Sequence, residues 1–300
     1  EGPRLEGLPR LECASLDDVA SESRVDTAPP RIAAIPFTSG RTGRPKGVLL
    51  SHAALLHASD NYRRHLRVTP DDRIAWTAPF AYGAALGVYL LGLTSGAMLL
   101  PVRPADEPME AWVERLHRER ATILMLTTSL FRALAQHLPD GAALPDVRCI
   151  KVGGEPVYAS DAALFRRRFR TDCVLVNGLG ITECAGNVCF HASASTEAGA
   201  VPVGVAADGM ELLLLDERGA PVRAGAEGEI AVRSEWLADG YAGASAAESH
   251  RFAPLPGDPR PVYRTGDRGR WDREGRLVHL GPLDLRAKIR GFSVDLLEVE

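Results

Sequence analysis

The sequence predicts an α/β fold: helices covering mainly parallel sheets, joined to a smaller antiparallel β subdomain. Two observations carry this. From residue 108, short apolar runs alternate with helical patterns, as expected of parallel strands linked by crossover helices. Near residue 200 the alternation gives way to "MELLLLDERGAPVRAGAEGEIAVRS", which reads as strand, turn, strand with Gly and Pro at the bends.

Residues 1–30 are polar, Pro-containing and aperiodic, and read as a lead-in or linker. "RIAAIPF" (31–37) reads as a strand and "GVLLSH" (47–52) as its hairpin-like return. Ser51 then caps a helix over "HAALLHASDNYRRHL". Further on, "MEAWVERLHRER" is a helix leading into the strand "ATILML". "SLFRALAQHL" leads in the same way into "VRCIKV", and "ASDAALFRRRFR" into "CVLVN". These patterns divide the chain into an α/β core over 31–200, a β-rich part over 201–279 and a closing segment over 280–300.

A formal net charge of −4 on 300 residues gives no global electrostatic case for nucleic acid or an acidic membrane surface. No apolar run approaches the length of a membrane span, and no targeting segment is visible at the start. The five cysteines, Cys13, Cys149, Cys173, Cys184 and Cys189, are odd in number and form no CxxC, so a reducing, cytoplasmic setting is expected. The chain starts without Met and ends at "DLLEVE" with no closing cap, and reads as a piece of a longer protein. Its only lysines are Lys46, Lys151 and Lys288. Where arginine is the default cation, a retained lysine suggests that a compact, flexible ammonium is wanted.

"PFTSGRTGRPKGVLLSH" (36–52) gathers hydroxyls and glycines around Lys46, a composition suited to wrapping phosphate. It is not a Walker A loop, because Pro45 precedes the lysine and a β-like "GVLL" follows in place of a helix. "TSGRTGRPKG" resembles the signature loop of the adenylate-forming enzymes: acyl-CoA synthetases, nonribosomal-peptide adenylation domains and luciferases. "VGGEPV" (152–157), "NGLGITE" (177–183), "YRTGD" (263–267) and "GPLDLRAKIRGFSVDLLEVE" (281–300) are similar to that family's further motifs, in its order.

The resemblance implies ATP and Mg²⁺ as cofactors. Thr38, Ser39, Gly40, Arg41, Thr42, Gly43 and Lys46 would embrace the phosphates, and Thr182 would add a hydroxyl near the α-phosphate. Glu183 would be the metal carboxylate, and with Thr182 and Lys46 it completes the expected catalytic set. Asn177 would read the adenine edge, beside Gly178, Leu179 and Gly180. The Gly153–Gly154–Glu155 backbone would line the base, and Asp267 would hold the ribose hydroxyls. By the same resemblance Asp284 would be the hinge residue and Lys288 part of the hinge motif, and the family's C-terminal lid is expected to lie outside this piece.

Three positions depart from the pattern. Arg41 stands where Ser or Thr is usual, Leu179 replaces an aromatic residue, and Pro282 replaces an arginine that contacts the nucleotide. The acid should lie against the helix after "APFAYGAALGVYLLGL", near Tyr82, Gly83, Ala84, Gly87, Gly178 and Gly186. Gly83 falls about where amino-acid-activating members carry an aspartate for the substrate's ammonium, and no carboxylate is nearby. Small walls without buried charge favour an aryl or fatty acid, although Gly87 is equally consistent with close helix packing. The acyl group would pass to coenzyme A or to a carrier domain. Two alternatives stand beside this reading. One is an assembly-line adenylation module activating an amino acid. The other is a non-catalytic homologue that binds nucleotide or a partner.

Overall fold

The alternation of apolar runs and helical patterns builds one large sheet. The computed structural model describes residues 31–38, 45–78, 83–102, 107–141, 144–193, 200–223, 225–245, 249–283, 286–289 and 292–295. The expected lead-in over 1–30 lies outside them. All elements below belong to the unit Ile32–Glu300. First come β1 (Ile32–Ala34), β2 (Phe37–Thr38), β3 (Lys46–Gly47), β4 (Leu50–Ser51) and α1 (His52–His65). The parallel region holds β5 (Arg73–Trp76), α2 (Gly83–Ser95), β6 (Met98–Pro101), α3 (Met109–Arg118), β7 (Ile123–Thr127), α4 (Thr128–His137), β8 (Cys149–Gly153), α5 (Ala159–Arg168) and β9 (Val174–Ile181). The rest is β: β10 (Gly186–Ser193), β11 (Val205–Ala206), β12 (Glu211–Leu215), β13 (Glu227–Arg233), β14 (Val262–Trp271), β15 (Leu277–Pro282), β16 (Arg286–Ile289) and β17 (Phe292–Asp295).

The seven-stranded sheet runs β11-β10-β9-β8-β7-β5-β6. Strands β6, β5, β7, β8 and β9 are parallel, and β10 and β11 are antiparallel additions. Period-two alternation sends side chains to both faces. On β7, Ile123 and Met125 join the core beneath α1 and α2. Leu124 and Leu126 join Trp112 of α3, Phe131 of α4 and Phe165 of α5 on the other face. Helix α2 starts inside the stretch after which a helix was expected. Sequence reading ended the strand series at "CVLVN"; β9 instead continues to Ile181, and β10 folds back along it through a left-handed Ala185 at φ 61°.

The chain steps from β5 outward to β6, then back across β5 to β7. Right-handed crossovers in opposite directions put α2 and α3 on opposite faces. Ligands of such sheets bind at the carboxyl ends of the strands beside that reversal. A second, four-stranded antiparallel sheet, β12-β13-β14-β15, packs into the α1–α2 core through Leu212, Leu214, Ile230, Val232 and Leu277.

Ser51 caps α1 by accepting from Ala54 N at 3.1 Å, as its sequence position predicts. The opposite edge of the sheet is pinned by Asp72, which is 4% exposed. It takes both arms of Arg148 at 2.9 and 2.7 Å, the Thr122 hydroxyl at 2.7 Å and the Thr69 amide at 2.8 Å. Arg148 also donates to Leu66 O and Arg67 O beyond α1. One carboxylate thus ties the starts of β5, β7 and β8 to the end of α1.

Asp72→Asn keeps the shape but leaves the half-buried guanidinium without its counter-charge. A loss of about 2–4 kcal/mol is expected, at the lower end for a buried pair because Arg148 is partly solvated. Denaturant unfolding of the variant against the parent measures it.

Candidate active site

The motif residues converge on the carboxyl edge of the sheet. Gly153 ends β8, Thr182 and Glu183 follow β9, and Gly83 opens α2. A Cβ on Gly83 would come within 2.8 Å of Thr182 Cγ2 and 3.1 Å of its Oγ1, so the absence of a side chain there lets α2 meet Thr182.

Tyr241 joins these residues to the second sheet. Its hydroxyl donates to Glu183 Oε1 at 2.7 Å and lies 3.3 Å from the Tyr263 hydroxyl. Burial, and then the Glu183 charge, hold both phenols well above their usual pKa, so they stay protonated donors. The backbone ties the same parts together: Ala238 N donates to Glu183 O, Leu49 N to Gly240 O and Ala242 N to Gly47 O. Lys46, paired with Thr38 across β2–β3, sits 5.4 Å from the Tyr241 ring centroid, within cation–π range. Lys46 and Glu183 therefore flank one tyrosine. Sequence reading missed Tyr241, which stands in "LADGYAG" and whose role arises only from the fold.

"YRTGD" divides its labour. Tyr263 extends the hydroxyl chain, and Arg264 pairs with Glu229. Thr265 Oγ1 donates to Ile230 O and accepts from Asp267 N at 3.0 Å. Gly266 adopts φ 77°, and its amide donates to Glu229 Oε1. The Asp267 carboxylate remains on the partly exposed side, its Oδ2 3.1 Å from His279 Nε2. Pro282 is its partner across β14–β15, so the departure noted in the sequence sits beside Asp267.

Several expected site residues are placed otherwise. Asn177, expected at the adenine edge, is 2% exposed; its Nδ2 donates to Val201 O and Pro202 O, and its Oδ1 accepts from Gly178 N. The Glu155 side chain accepts from Ser129 N and Oγ, placing a carboxylate at the start of α4. Its neighbour Gly154 holds φ 82°. Gly87 and Gly186 are not open pocket wall, because Cβ atoms there would meet Tyr62 and Ala58 of α1 at 3.3–3.5 Å. Gly178 and Gly180 abut the Asn187 amide. Leu179 is half-buried against the apolar core. Ser39, Gly40, Arg41, Thr42, Gly43 and Tyr82 lie outside the described residues, as do Asp284 and the side chains of Ala84 and Lys288. Cys149, Cys173, Cys184 and Cys189 are all buried and unlinked, and Cys184 and Cys189 join the apolar core.

Lys151 is half-buried on β8, between Met125 of β7 and Val176 of β9. Desolvation pushes its ammonium down to about 8.

Residues 4–242 match the family described as AMP-binding enzyme, and the chain belongs to that family. Gramicidin S synthase 2 of Brevibacillus brevis is 31% identical over 275 residues, 90% of this chain and 6% of that protein. Pyochelin synthetase PchF of Pseudomonas aeruginosa is 31% identical, with 96% of this chain and 16% of its own length covered. A solved structure of holo-PA1221, described as an NRPS protein containing adenylation and PCP domains bound to a vinylsulfonamide inhibitor, superposes with a TM-score of 0.82 at 30% identity. It covers 98% of this chain and 52% of its own. The chain thus spans a small part of the synthetases and about half of the solved chain. These relatives fit the assembly-line alternative better than the first expectation, a ligase for an aryl or fatty acid.

The lowered lysine pKa carries a stability consequence with a definite sign. Below about 8 both folded and unfolded chains carry the Lys151 charge, and folding bears the full desolvation cost. Between about 8 and the ordinary lysine value of 10.5 that cost fades. Lys151→Met is therefore expected to unfold later than the parent at pH 7, by about 3 kcal/mol. The gap should close by pH 10.5, read from melts across that range.

Proposed function

We propose that the protein containing this chain activates a carboxylic acid with ATP and loads the acyl group onto the pantetheine thiol of a carrier domain, as an adenylation module of a peptide-synthetase type. A carboxylate oxygen of the acid attacks the α-phosphorus, the bond to the β-phosphate oxygen breaks, and pyrophosphate leaves. The thiol then attacks the acyl carbon and AMP leaves. The observation that carries the reading is the Tyr241 bridge, which sets Lys46 and Glu183 on either side of one phenol beside Thr182.

In this reading Lys46 supplies positive charge to the phosphates, in company with Thr38 and the loop Ser39–Gly43. Thr182 offers a hydroxyl at the α-phosphate, and Asp267 accepts from the ribose hydroxyls. The buried Asn177 acts indirectly, fixing the Gly178 amide and the Val201–Pro202 carbonyls. Among the described residues no three His, Cys, Asp or Glu side chains converge. A divalent ion would therefore rely on one protein carboxylate plus phosphate and water oxygens, as Mg²⁺ ordinarily does. Glu183 fits that part: Oε1 is held by Tyr241, and Oε2 accepts no hydrogen bond among the described residues. When bound, the ion neutralises phosphate charge. No described helix is long and apolar enough to cross a membrane.

Lys46→Ala should weaken ATP binding by about 1.5–3 kcal/mol, the range for hydrogen bonds to charged groups. Calorimetric titration of the full protein with unchanged ATP affinity would remove the loop from the site.

Glu183→Gln keeps an acceptor for Tyr241 but loses the anionic oxygen a hard cation prefers. Pyrophosphate exchange should collapse while the melting curve holds. Wild-type magnesium dependence in the variant would show that the metal assignment is wrong. ATP binding with no exchange by the unaltered protein, whatever the acid, would favour the non-catalytic alternative.

A further inference from the structure

Two hydrogen-bond donors without acceptors lie on the inner face of the large sheet, beneath α2. Lys151, Gly153, Val176 and Gly178 share that face by strand alternation and register. Lys151 Nζ lies 2.9 Å from where a Cβ of Gly153 would stand, and Gly178 O lies 2.7 Å from the same point. The ammonium makes no hydrogen bond or ion pair among the described residues. The titratable group nearest it in effect is the Cys189 thiol, which burial pushes up to about 12 and keeps neutral.

The second donor is Asn187, 3% exposed. Its Oδ1 accepts from Tyr62 Oη at 2.8 Å, which orients the amide, and its Nδ2 is buried with no partner. That Nδ2 occupies the space a Cβ of Gly178 would need. Gly153 of β8 and Gly178 of β9 stand on neighbouring strands, which are about 4.8 Å apart, so Lys151, lying over the first glycine, and Asn187, reaching from β10 over the second, approach one small region. A buried amide donor costs free energy while unpaired, and a desolvated ammonium costs more. Two together in a wall of glycine are explained if the acceptor arrives with the ligand.

We propose that Lys151 and Asn187 bind a second carboxylate, at the far end of the acid whose other carboxyl is activated, so that the substrate is a dicarboxylic acid. This rests on the adenylation reading above and assigns its substrate class. Gly178 precedes Thr182 by four residues, about 13 Å of extended strand. Allowing for the reach of the lysine side chain, that suits a spacer of roughly four to six atoms between the carboxylates. The interaction is one of charge and two hydrogen bonds, with no chemistry at the second carboxylate.

The test is pyrophosphate exchange by the full-length protein with matched acids: adipic against hexanoic, terephthalic against 4-methylbenzoic, and 2-aminoadipic against 2-aminohexanoic acid. The diacid of at least one pair should be preferred tenfold or more in kcat/KM. Lys151→Met should cut that preference at least tenfold, chiefly through the KM of the diacid. Because this variant is expected to be more stable than the parent, unfolding would not produce the loss. Asn187→Asp keeps the acceptor for Tyr62 and places a carboxylate beside Lys151, and should likewise abolish the preference. If exchange proceeds but the monoacid is used equally well in every pair, or neither variant changes the ratio, the inference is overturned and adenylation stands. If no acid supports exchange, the adenylation reading itself falls and the inference with it.

Discussion

The hydrogen bond from Tyr241 to Glu183 is the constraint on which the site's geometry depends. Glu183 follows the last strand of the parallel series, and Tyr241 belongs to the segment held against β3 and β4. The bond is short and charge-assisted, and neither phenol in the chain gives up its proton near neutral pH. Through it, the ribbon bearing Lys46, the β9 terminus bearing Thr182 and the "YRTGD" strand bearing Asp267 become parts of one arrangement. Glu183 is held by one oxygen, while the other accepts no hydrogen bond among the described residues. A side chain fixed in this way needs little reorganisation when charge develops nearby.

Many motif residues contribute by holding others. In "YRTGD", four of five residues make bonds that fix the loop, and Asp267 alone keeps a partly exposed carboxylate. In "VGGEP", Glu155 caps α4, and in "NGLGITE", Asn177 is spent on three backbone groups. A short segment can bind only if its backbone polar groups are satisfied first.

The fold was legible where hydrophobic period and capping chemistry agree. The β–α alternation, the Ser51 cap and the return of "GVLLSH" against "RIAAIPF" all follow from local rules. The bend at Ala185 and the long return strand β10 were not, because no Gly or Pro marks the turn itself and the left-handed residue is an alanine. The motifs singled out Lys46, Thr182, Glu183 and Asp267; in the fold Thr182 and Glu183 follow β9, and Tyr241 links Glu183 to Lys46. Tyr241 could not be found, since its role depends on a contact across 58 residues. The bonds of Asn177 were hidden in the same way: a polar residue within a motif suggests ligand contact, and its Nδ2 partners in the fold lie 24 and 25 residues on.

The glycines suggested small, uncharged walls, and neighbouring side chains fill the space beside four of them. Glycine in sequence suggests unfilled volume, but the volume belongs to whichever neighbour is long enough to enter it. Gly87 and Gly186 give theirs to the ring of Tyr62, which closes the α1–α2 side of the sheet. Gly153 and Gly178 give theirs to an ammonium and an amide. In a chain that otherwise uses arginine almost throughout, a lysine fits here because a guanidinium is too broad to lie over a strand between two glycines, whereas a single nitrogen on a flexible stem can. The inner face of the sheet is thereby polar where the sequence suggested it was bare.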